Sequence, residues 1–222
     1  MIIDEITVLT CSYNNNLLTK CMIMSLFKVV GRYVPVCIMD NGNKEICSGE
    51  MKEVFTVIDN TNFKITPNFN QVSKNHCAAL DWALKNVIKT KYVLICDNDV
   101  LLKPSVLKLL EEKDVDCIGE IGHDFADGDR IFPYFCIINL QKMKNENISY
   151  FVEKSFVEDK KHNIIRNDTG WSFYNSIKNK WKIKNISLND YIVHLGGASH
   201  RPLQKRETWL NENKKLFSFG SI

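Results

Sequence analysis

The sequence lacks the features that define several classes of protein. Its 222 residues contain no C-x-x-C pair, so the usual spacing of a zinc site is absent. No apolar run approaches the length of a membrane span, and no internal repeat or low-complexity tract is present. The first apolar segment is followed by CSYNNN, which has no glycine. This excludes the G-x-G-x-x-G fingerprint of dinucleotide-binding dehydrogenases at that position.

The overall composition is that of an ordinary globular protein. Hydrophobic residues make up 45% of the chain and charged residues 25%. The formal net charge of +3 is too small to indicate nucleic-acid binding by itself, and it does not exclude such binding. The start of the chain, MIIDEITVLT, carries Asp4 and Glu5 beside a short apolar run, so we expect no signal peptide.

The eight cysteines do not have the pattern of a disulfide framework. Cys37, Cys96 and Cys136 lie inside apolar stretches that are predicted to be core elements. Small disulfide-stabilised proteins instead place their cysteines in loops. We therefore predict free, mostly buried thiols in a reducing compartment, and a cytoplasmic protein.

The first half of the chain alternates apolar runs with amphipathic segments, which is typical of βαβ units around a mostly parallel sheet. We predict strands over 6–10, 36–40, 54–59 and 92–96. Amphipathic spacing predicts a helix over 16–30, and Ser73 is the predicted N-cap of the next helix.

The second half is less regular. Pro104 suits the first turn of a short helix, and strands are predicted over 117–120 and 134–139, around a polar loop at 123–130. The charged stretch 142–161 is predicted to be a mobile loop. Beyond it we predict a helix entered from 168–169 and a strand near 191–194; the polar, basic tail from Gly196 is a candidate lid. With no linker, the economical interpretation is a single domain over 1–222.

The acidic triplet Asp97-Asn98-Asp99 is the most informative feature. The apolar strand YVLIC delivers two carboxylates at its carboxyl end, which in an open α/β sheet is the edge where ligands bind. Mg²⁺ and Mn²⁺ favour oxygen ligands, and a protein commonly supplies one or two carboxylates beside substrate phosphates. The alternative is a structural one, in which Asp97 ends the strand and Asp99 begins a turn.

Four segments in this order resemble the family-2 glycosyltransferases of the GT-A fold: ITVLTCSYNN, IMDNGN, KYVLICDNDVLLKP and VHLGGAS. The resemblance implies a Rossmann-like α/β fold of the GT-A type. A mostly parallel central sheet would be flanked by helices, with a smaller, mixed acceptor-side region. Residues 1–105 would bind the nucleotide-sugar, and residues 106–222 would form the acceptor side with its tail or lid.

The resemblance also implies the residues of a donor site. Thr10, Ser12 and Tyr13, after the first strand, would border the nucleoside, and Asp40 would face the base or ribose. His76 lies where similar enzymes carry a polar residue near the pyrophosphate; an ordinary helix-surface role is the alternative.

The metal site implied by the resemblance has three members. Asp97 would bind the ribose or reach the ion through water, and Asp99 would ligate Mn²⁺ or Mg²⁺ at the diphosphate. His194 would complete or flank this site from the late strand. The bound ion would act as a Lewis acid toward the departing diphosphate.

The remaining candidates lie late in the chain. Asp168, in NDTGW, is the candidate catalytic base of an inverting transfer, although family-2 enzymes often have an acidic pair there. Its alternative role is to cap a helix beginning near Gly170. In the tail, Arg201 would add positive charge toward the diphosphate together with Lys205 and Arg206; a solvated basic terminus is the alternative.

The sequence thus predicts a metal-dependent, inverting glycosyltransferase with a nucleotide-sugar donor, for which we favour a UDP-sugar. The acceptor stays open among a glycan, a small molecule and a protein. The many Lys, Asn and Ile residues suggest an AT-rich genome; if that genome is viral, a hydroxymethylated DNA base in the host cytoplasm is a further candidate. The oligomeric state also stays open. One alternative is a catalytically inactive nucleotide-sugar-binding protein. Another is a nucleotidyltransferase, although such enzymes commonly have a glycine- and arginine-rich loop where this chain has CSYNNN.

Overall fold

The computed structural model describes residues 1–12, 15–40, 56–59, 69–124, 128–150, 157–159, 164–166, 170–196 and 202–218. Within them it contains eleven strands and six α-helices. The strands are β1 Ile6–Ser12, β2 Val36–Asp40, β3 Thr56–Asp59, β4 Tyr92–Cys96, β5 Val100–Leu102, β6 Cys117–Asp124, β7 Gly128–Asn139, β8 Val157–Asp159, β9 Ile164–Arg166, β10 Ile183–Asn185 and β11 Ile192–His194. The helices are α1 Asn16–Val30, α2 Phe69–Asn86, α3 Val106–Leu110, α4 Leu140–Asn145, α5 Trp171–Ile177 and α6 Leu203–Glu212.

Seven of the described strands form the central sheet, in the order β10-β6-β7-β4-β1-β2-β3. The pairings β1–β2, β1–β4, β2–β3 and β6–β10 are parallel, whereas β7 runs antiparallel to both β4 and β6. Six of these seven strands therefore point the same way. The run β3-β2-β1-β4 has the order of a nucleotide-binding α/β half, and its ligand crevice lies beyond the carboxyl ends of the strands. Two further antiparallel pairs, β5–β11 and β8–β9, lie outside this sheet.

The sheet is buried on both faces, which explains the nearly continuous apolar runs in its strands. On one face, Ile6 and Val8 of β1 belong to a cluster that includes the apolar side of α1. On the other face, Leu9 and Cys11 belong to a second cluster with the apolar side of α2. Successive strand residues point to opposite faces, so β1, β2, β4, β6 and β7 each contribute buried residues to both cores.

The C-terminal helix α6 docks on the α1 side through a third cluster. Leu210 packs with Leu18, Cys21 and Leu101 in this small core. The Lys28 ammonium of α1 donates hydrogen bonds to the main-chain carbonyls of 215 and 218, at 2.6 and 2.7 Å. The described part of the tail therefore contains a packed helix, while the predicted role of the tail as a lid stays a prediction.

The mostly parallel α/β sheet expected from the sequence is confirmed. Helix α1 has its predicted bounds, and Gly31 ends it in the left-handed conformation, at φ 70°. Strands β2 and β4 also match their predictions. Strands from both predicted halves pair in one sheet, while the single-domain organisation stays a prediction.

Three local predictions were wrong. Ser73 is not an N-cap, because α2 begins at Phe69; the FNQV segment contains no helix-breaking residue. Both ends of the polar segment 123–130, which was predicted to be a loop, belong to strands. β6 extends to residue 124, and β7 begins at residue 128, where the two strands pair. There the exposed His123 and Asp129 side chains are in contact, with Nδ1 3.2 Å from Oδ1. Part of the stretch predicted as a mobile loop is helix α4, which Asn139 caps by accepting from the Lys142 main-chain N–H.

The cysteine prediction agrees with what the structure describes. Seven cysteines are free and buried, and Cys47 lies outside the described residues. Among the helices described, none combines the length and apolar character needed to cross a membrane.

Gly31 and Gly170 form a matched pair of left-handed glycines, with φ of 70° and 90°. An added Cβ at Gly31 meets nothing within 4 Å, whereas at Gly170 it would lie 2.2 Å from the Ile131 carbonyl oxygen. We expect Gly31→Ala to lower the free energy of unfolding by about 1–2 kcal/mol, the cost of the left-handed backbone alone. Gly170→Ala should cost at least about 3 kcal/mol, because β7 must move away from α5. Urea unfolding measures the free energy of unfolding of both variants, provided that the m-value is unchanged. Equal losses of stability in the two variants would contradict the close packing of Gly170 against β7.

Candidate metal centre and active site

The acidic triplet begins where β4 leaves the sheet. The last described β4 pairing joins Cys96 with Phe135 of β7, and the Asp97 N–H donates to the Tyr134 carbonyl at 3.0 Å. The Val100 N–H then returns to the Asp97 carbonyl at 3.3 Å, which closes a tight turn around residues 98 and 99. This turn projects the Asp97 and Asp99 carboxylates from the carboxyl edge of the sheet.

The turn leads directly into β5, which pairs with the late strand β11. His194 lies opposite Val100 in this antiparallel pair, and the Leu195 N–H donates to the Asp99 carbonyl at 3.0 Å. A residue almost 100 positions away in the chain is thereby held beside the acidic triplet. The His194 Nε2 atom lies 3.3 Å from the Asp99 Oδ1 atom.

Asp97, Asp99 and His194 form a candidate metal site. Each offers one ligand atom, and the three atoms lie within 4.8 Å of one another. The Asp99 side chain is only 7% exposed, whereas the exposures of Asp97 and His194 are 25% and 26%. A buried carboxylate beside a second carboxylate carries a desolvation cost that a cation offsets. The site therefore has both the donor atoms and the electrostatic environment for a divalent ion.

The spacing also suits a small ion. Mg²⁺ holds its ligands at about 2.1 Å, so two ligand atoms on opposite sides of it are roughly 4.2 Å apart. Three atoms within 4.8 Å reach such a distance with small side-chain rotations. The partial exposure of Asp97 and His194 leaves a side on which a substrate oxygen can complete the coordination.

A second histidine approaches from the opposite face of the sheet. His76 of α2 places its Nε2 atom 3.6 Å from the Asp97 Oδ1 atom. The sequence left open whether His76 has an ordinary helix-surface role; the structure places it against the triplet. Its role toward the pyrophosphate stays a prediction.

The cysteines near the triplet are not suited to metal ligation. Burial raises the pKa of the Cys11 and Cys96 thiols well above their usual value, and the nearby Asp97 raises both further. Because the thiolate is the metal ligand, these protonated side chains act as core residues.

A polar network supports the triplet from the α1 side. The Asn98 amide donates to the Ser12 hydroxyl at 3.4 Å, and Ser12 shares a 2.9 Å hydrogen bond with Thr19. Thr19 in turn donates to the Asn15 carbonyl at 3.1 Å. The Arg206 guanidinium of α6 donates to the Asn15 side-chain oxygen. The network links the end of β4, the end of β1, the start of α1 and the C-terminal helix.

The predicted nucleoside-side residues occupy the same edge of the sheet. Ser12 and Asp40 are register partners at the ends of β1 and β2. Both are buried, and Thr10, at 1% exposure, is fully enclosed. The Thr10 and Ser12 side chains therefore support the strand end from below rather than face solvent. Tyr13, Asp168 and Arg201 lie outside the described residues, so their predicted roles stay predictions.

Two residues of this region were assigned no role from the sequence. Asn98 was treated only as the spacer of the triplet, although its amide anchors the turn to β1. Tyr134 was placed in a strand without a role, and its ring stacks on the His194 imidazole with centroids 4.1 Å apart. Its hydroxyl pKa is raised by burial and by Glu120 nearby, so the side chain is neutral. No local signal marks Tyr134, because its contact depends on the antiparallel insertion of β7 beside β4.

Comparison with solved structures identifies the architecture. The galactosyltransferase LgtC, solved with donor and acceptor sugar analogues, superposes with a TM-score of 0.56 at 14% identity, over 82% of this chain and 73% of that chain. GlyE of Streptococcus pneumoniae TIGR4 gives a TM-score of 0.53 at 13% identity, over 83% and 45% of the two chains. The mannosyltransferase PcManGT of Pyrobaculum calidifontis, solved with GDP-Man and Mn²⁺, gives 0.52 at 12% identity, over 82% and 54%.

The protein has the GT-A fold. Its chain spans about three quarters of LgtC but only about half of GlyE and PcManGT. No protein-family model matches the sequence, and no curated protein matches it significantly. The GT-A expectation is confirmed, whereas the more specific resemblance to family 2 stays a prediction.

The candidate metal site can be tested with Mn²⁺ alone. Replacing Asp99 by Asn keeps the size of the side chain but removes its charge, and we expect Asp99→Asn to weaken Mn²⁺ binding at least about 100-fold, more than loss of an outer-shell partner costs. Isothermal titration calorimetry measures the affinity. The matched control is Asp116→Asn, since this carboxylate binds Lys142 at 2.7 Å and should affect only stability. Equal Mn²⁺ affinity in the Asp99 variant and the unmodified protein would remove Asp99 from the site.

Proposed function

We propose that this protein is a metal-dependent glycosyltransferase that moves a sugar from a nucleotide-diphosphate sugar to an acceptor hydroxyl. The observation that carries the proposal is the Asp97-Asp99-His194 cluster at the carboxyl edge of a GT-A sheet. The fold supplies the crevice, and the cluster supplies the ligands that a cation bound to a diphosphate requires. The structural neighbours add support, since they are glycosyltransferases and one was solved with GDP-Man and Mn²⁺.

Of the two candidate ions, the donor set favours Mn²⁺. Magnesium binds oxygen almost exclusively in proteins, whereas His194 offers an imidazole nitrogen. Asp97, Asp99 and His194 would hold the ion in this proposal. When bound, it supplies Lewis-acid stabilisation of the negative charge on the departing diphosphate.

The donor would lie across the ends of β1, β2 and β4. Asp40, buried at the end of β2, would accept hydrogen bonds from the base or ribose. Ser12 and Thr10 would hold the preceding strand end in place, and Tyr13 would border the nucleoside. His76 would orient Asp97, because the His76 Nε2 atom lies 3.6 Å from the Asp97 Oδ1 atom. Arg201 would contact the diphosphate from the tail. Among nucleotides, we propose a UDP-sugar.

The proposed transfer is a single inverting displacement. The acceptor oxygen forms a bond to the anomeric carbon while the bond from that carbon to the diphosphate oxygen breaks. The electron pair leaves with the diphosphate, and the acceptor proton passes to the Asp168 carboxylate as general base. A glycan, a small molecule, a protein and a modified DNA base all offer such a hydroxyl. The free thiols of the described cysteines support a reducing, cytoplasmic setting.

The donor proposal is tested by thermal shift with UDP, GDP, CDP and dTDP, each with and without Mn²⁺. A ligand at 100 times its Kd adds about 2.7 kcal/mol to the free energy of unfolding. For a chain of this size the expected rise in Tm is roughly 5–11 °C. We expect the largest rise with UDP, and we expect it to disappear on chelation of Mn²⁺.

The control for this panel is Asp99→Asn, which should show no Mn²⁺-dependent rise. A large shift with a different nucleotide would keep the proposal and change the donor. If the folded protein shows no rise in Tm with any of the four nucleotides, the proposed function is overturned. That result would also argue against the alternative of a nucleotide-sugar-binding protein. A nucleotide-sugar that binds but is never hydrolysed or transferred would favour the catalytically inactive binding protein.

Asp168 is tested by Asp168→Asn, which keeps the shape of the side chain but removes its basicity. Because a general base acts only in the transition state, we expect kcat to fall at least about 100-fold while donor affinity is unchanged. Turnover is followed by release of the nucleoside diphosphate with the donor that the thermal panel identifies. Asp159→Asn, in the charged segment before it, is the control. Unchanged turnover in Asp168→Asn would exclude it as the base.

A further inference from the structure

Four planar side chains form a continuous stack that starts at the candidate metal site. The Tyr134 ring lies on the His194 imidazole at a centroid distance of 4.1 Å and an interplanar angle of 24°. Phe132 stacks on Tyr134 at 5.4 Å and 18°, and the Arg130 guanidinium lies 5.5 Å from the Phe132 ring centroid. The three β7 members alternate with other residues, so they follow one side of the strand. The stack thus connects the projecting β6–β7 hairpin with His194.

Packing against Gly122 and against the buried cluster on the α1 side holds the stack in place. An added Cβ on Gly122 of β6 would lie 2.2 Å from the Phe132 ring, so glycine is required for the ring to pack there. Phe132 and Tyr134 both pack against the buried cluster on the α1 side of the sheet. The Tyr134 ring is therefore supported by core packing on the hairpin side and contacts His194 on the other.

Tyr134 also contacts the acidic triplet through its main chain. Its carbonyl accepts the Asp97 N–H at 3.0 Å, while its ring contacts His194. One residue of β7 thereby connects two of the three candidate ligands. Neither contact uses the Tyr134 hydroxyl, so the side-chain contribution comes from the ring alone.

A histidine at this position needs such support. The χ2 torsion of histidine is broad, so the imidazole rotates easily unless a neighbour restrains it. Ligating histidines are ordinarily oriented by a hydrogen bond from the second ring nitrogen. At His194 a stacked aromatic ring lies flat on the imidazole and limits the same rotation.

We infer that Tyr134 is a positioning residue of the metal site: its ring holds the His194 imidazole in the orientation that directs Nε2 toward Asp99. The inference rests on the proposed metal-dependent function and extends it by one residue. Tyr134 touches neither ion nor substrate in this role. It acts through His194, and Phe132 and Gly122 act through Tyr134.

The test measures Mn²⁺ binding by calorimetry and the ¹⁴N coupling of the ligating imidazole by pulsed electron paramagnetic resonance. Tyr134→Ala should weaken Mn²⁺ binding about tenfold, in the range of lost outer-shell partners, and should lose the ¹⁴N coupling of His194. Tyr134→Phe keeps the ring and should retain the coupling, with affinity within about twofold of the unmodified protein. His194→Ala identifies which coupling belongs to His194 rather than to His76.

Two further variants separate positioning from general destabilisation. Tyr174→Ala removes another half-buried tyrosine ring, which packs on the opposite core, and should leave both readouts unchanged. Tyr134→Leu retains apolar volume but cannot stack, so it replaces the alanine variant if that one does not fold. It should also lose the coupling.

The outcomes distinguish this inference from the proposed function. If the unmodified protein binds no Mn²⁺, or binds it without a ¹⁴N coupling that His194→Ala removes, the proposed metal site fails and the inference falls with it. If the unmodified protein shows that coupling and folded Tyr134→Ala or Tyr134→Leu shows it unchanged, the site stands and the positioning role is overturned.

Discussion

The geometry of the candidate site depends on how the backbone leaves β4. A strand buried on both faces must continue its hydrogen bonding or find other partners for its polar groups. Here the Asp97 N–H is taken by β7, and the Asp99 carbonyl is taken by the residue after β11. These two main-chain bonds fix the position of the carboxylates without using their side-chain oxygens. The side chains of Asp97 and Asp99 therefore remain directed toward one another and toward His194.

This arrangement separates the support of the site from its chemistry. The apolar clusters lie beneath the sheet edge on both faces, and the network through Asn98, Ser12 and Thr19 supports the turn laterally. What reaches the surface is a small group of oxygen and nitrogen donors on rigid elements. A site built on strand ends and supported in this way loses little conformational entropy when it binds an ion or a phosphate. The ends of β1 and β2 lie at the same edge, so the crevice there and the candidate metal ligands share one scaffold.

The sequence predicted the parts of this structure that depend on local pattern. Buried strands such as β4 and the amphipathic α1 end where their apolar spacing ends, and the acidic triplet follows a strand whose burial was readable from YVLIC. Long-range pairing was not readable in this way. The insertion of antiparallel β7 beside β4 and the pairing of β11 with β5 join residues far apart in sequence, so Tyr134 had no local signal. His194 was found only through its resemblance to a late family motif, and the outer part of the β6–β7 hairpin was predicted as a loop because its residues are polar.

The two histidines show how distant parts of the chain meet at the candidate metal site. His76 comes from α2, in the first half of the chain, whereas His194 comes from β11, late in the second half. Each faces a different carboxylate of the triplet, so the two halves of the chain meet at Asp97 and Asp99. A cation bound there would offset the negative charge of Asp97 and Asp99, and its coordination by His194 would depend on β11 being in place. Because β7 carries Tyr134 as well as one strand of the β6–β7 hairpin, this hairpin is connected to His194 through the Tyr134 ring. The candidate metal site is therefore a junction at which the end of β4, the inserted strand β7 and the late strand β11 are held in a single geometry.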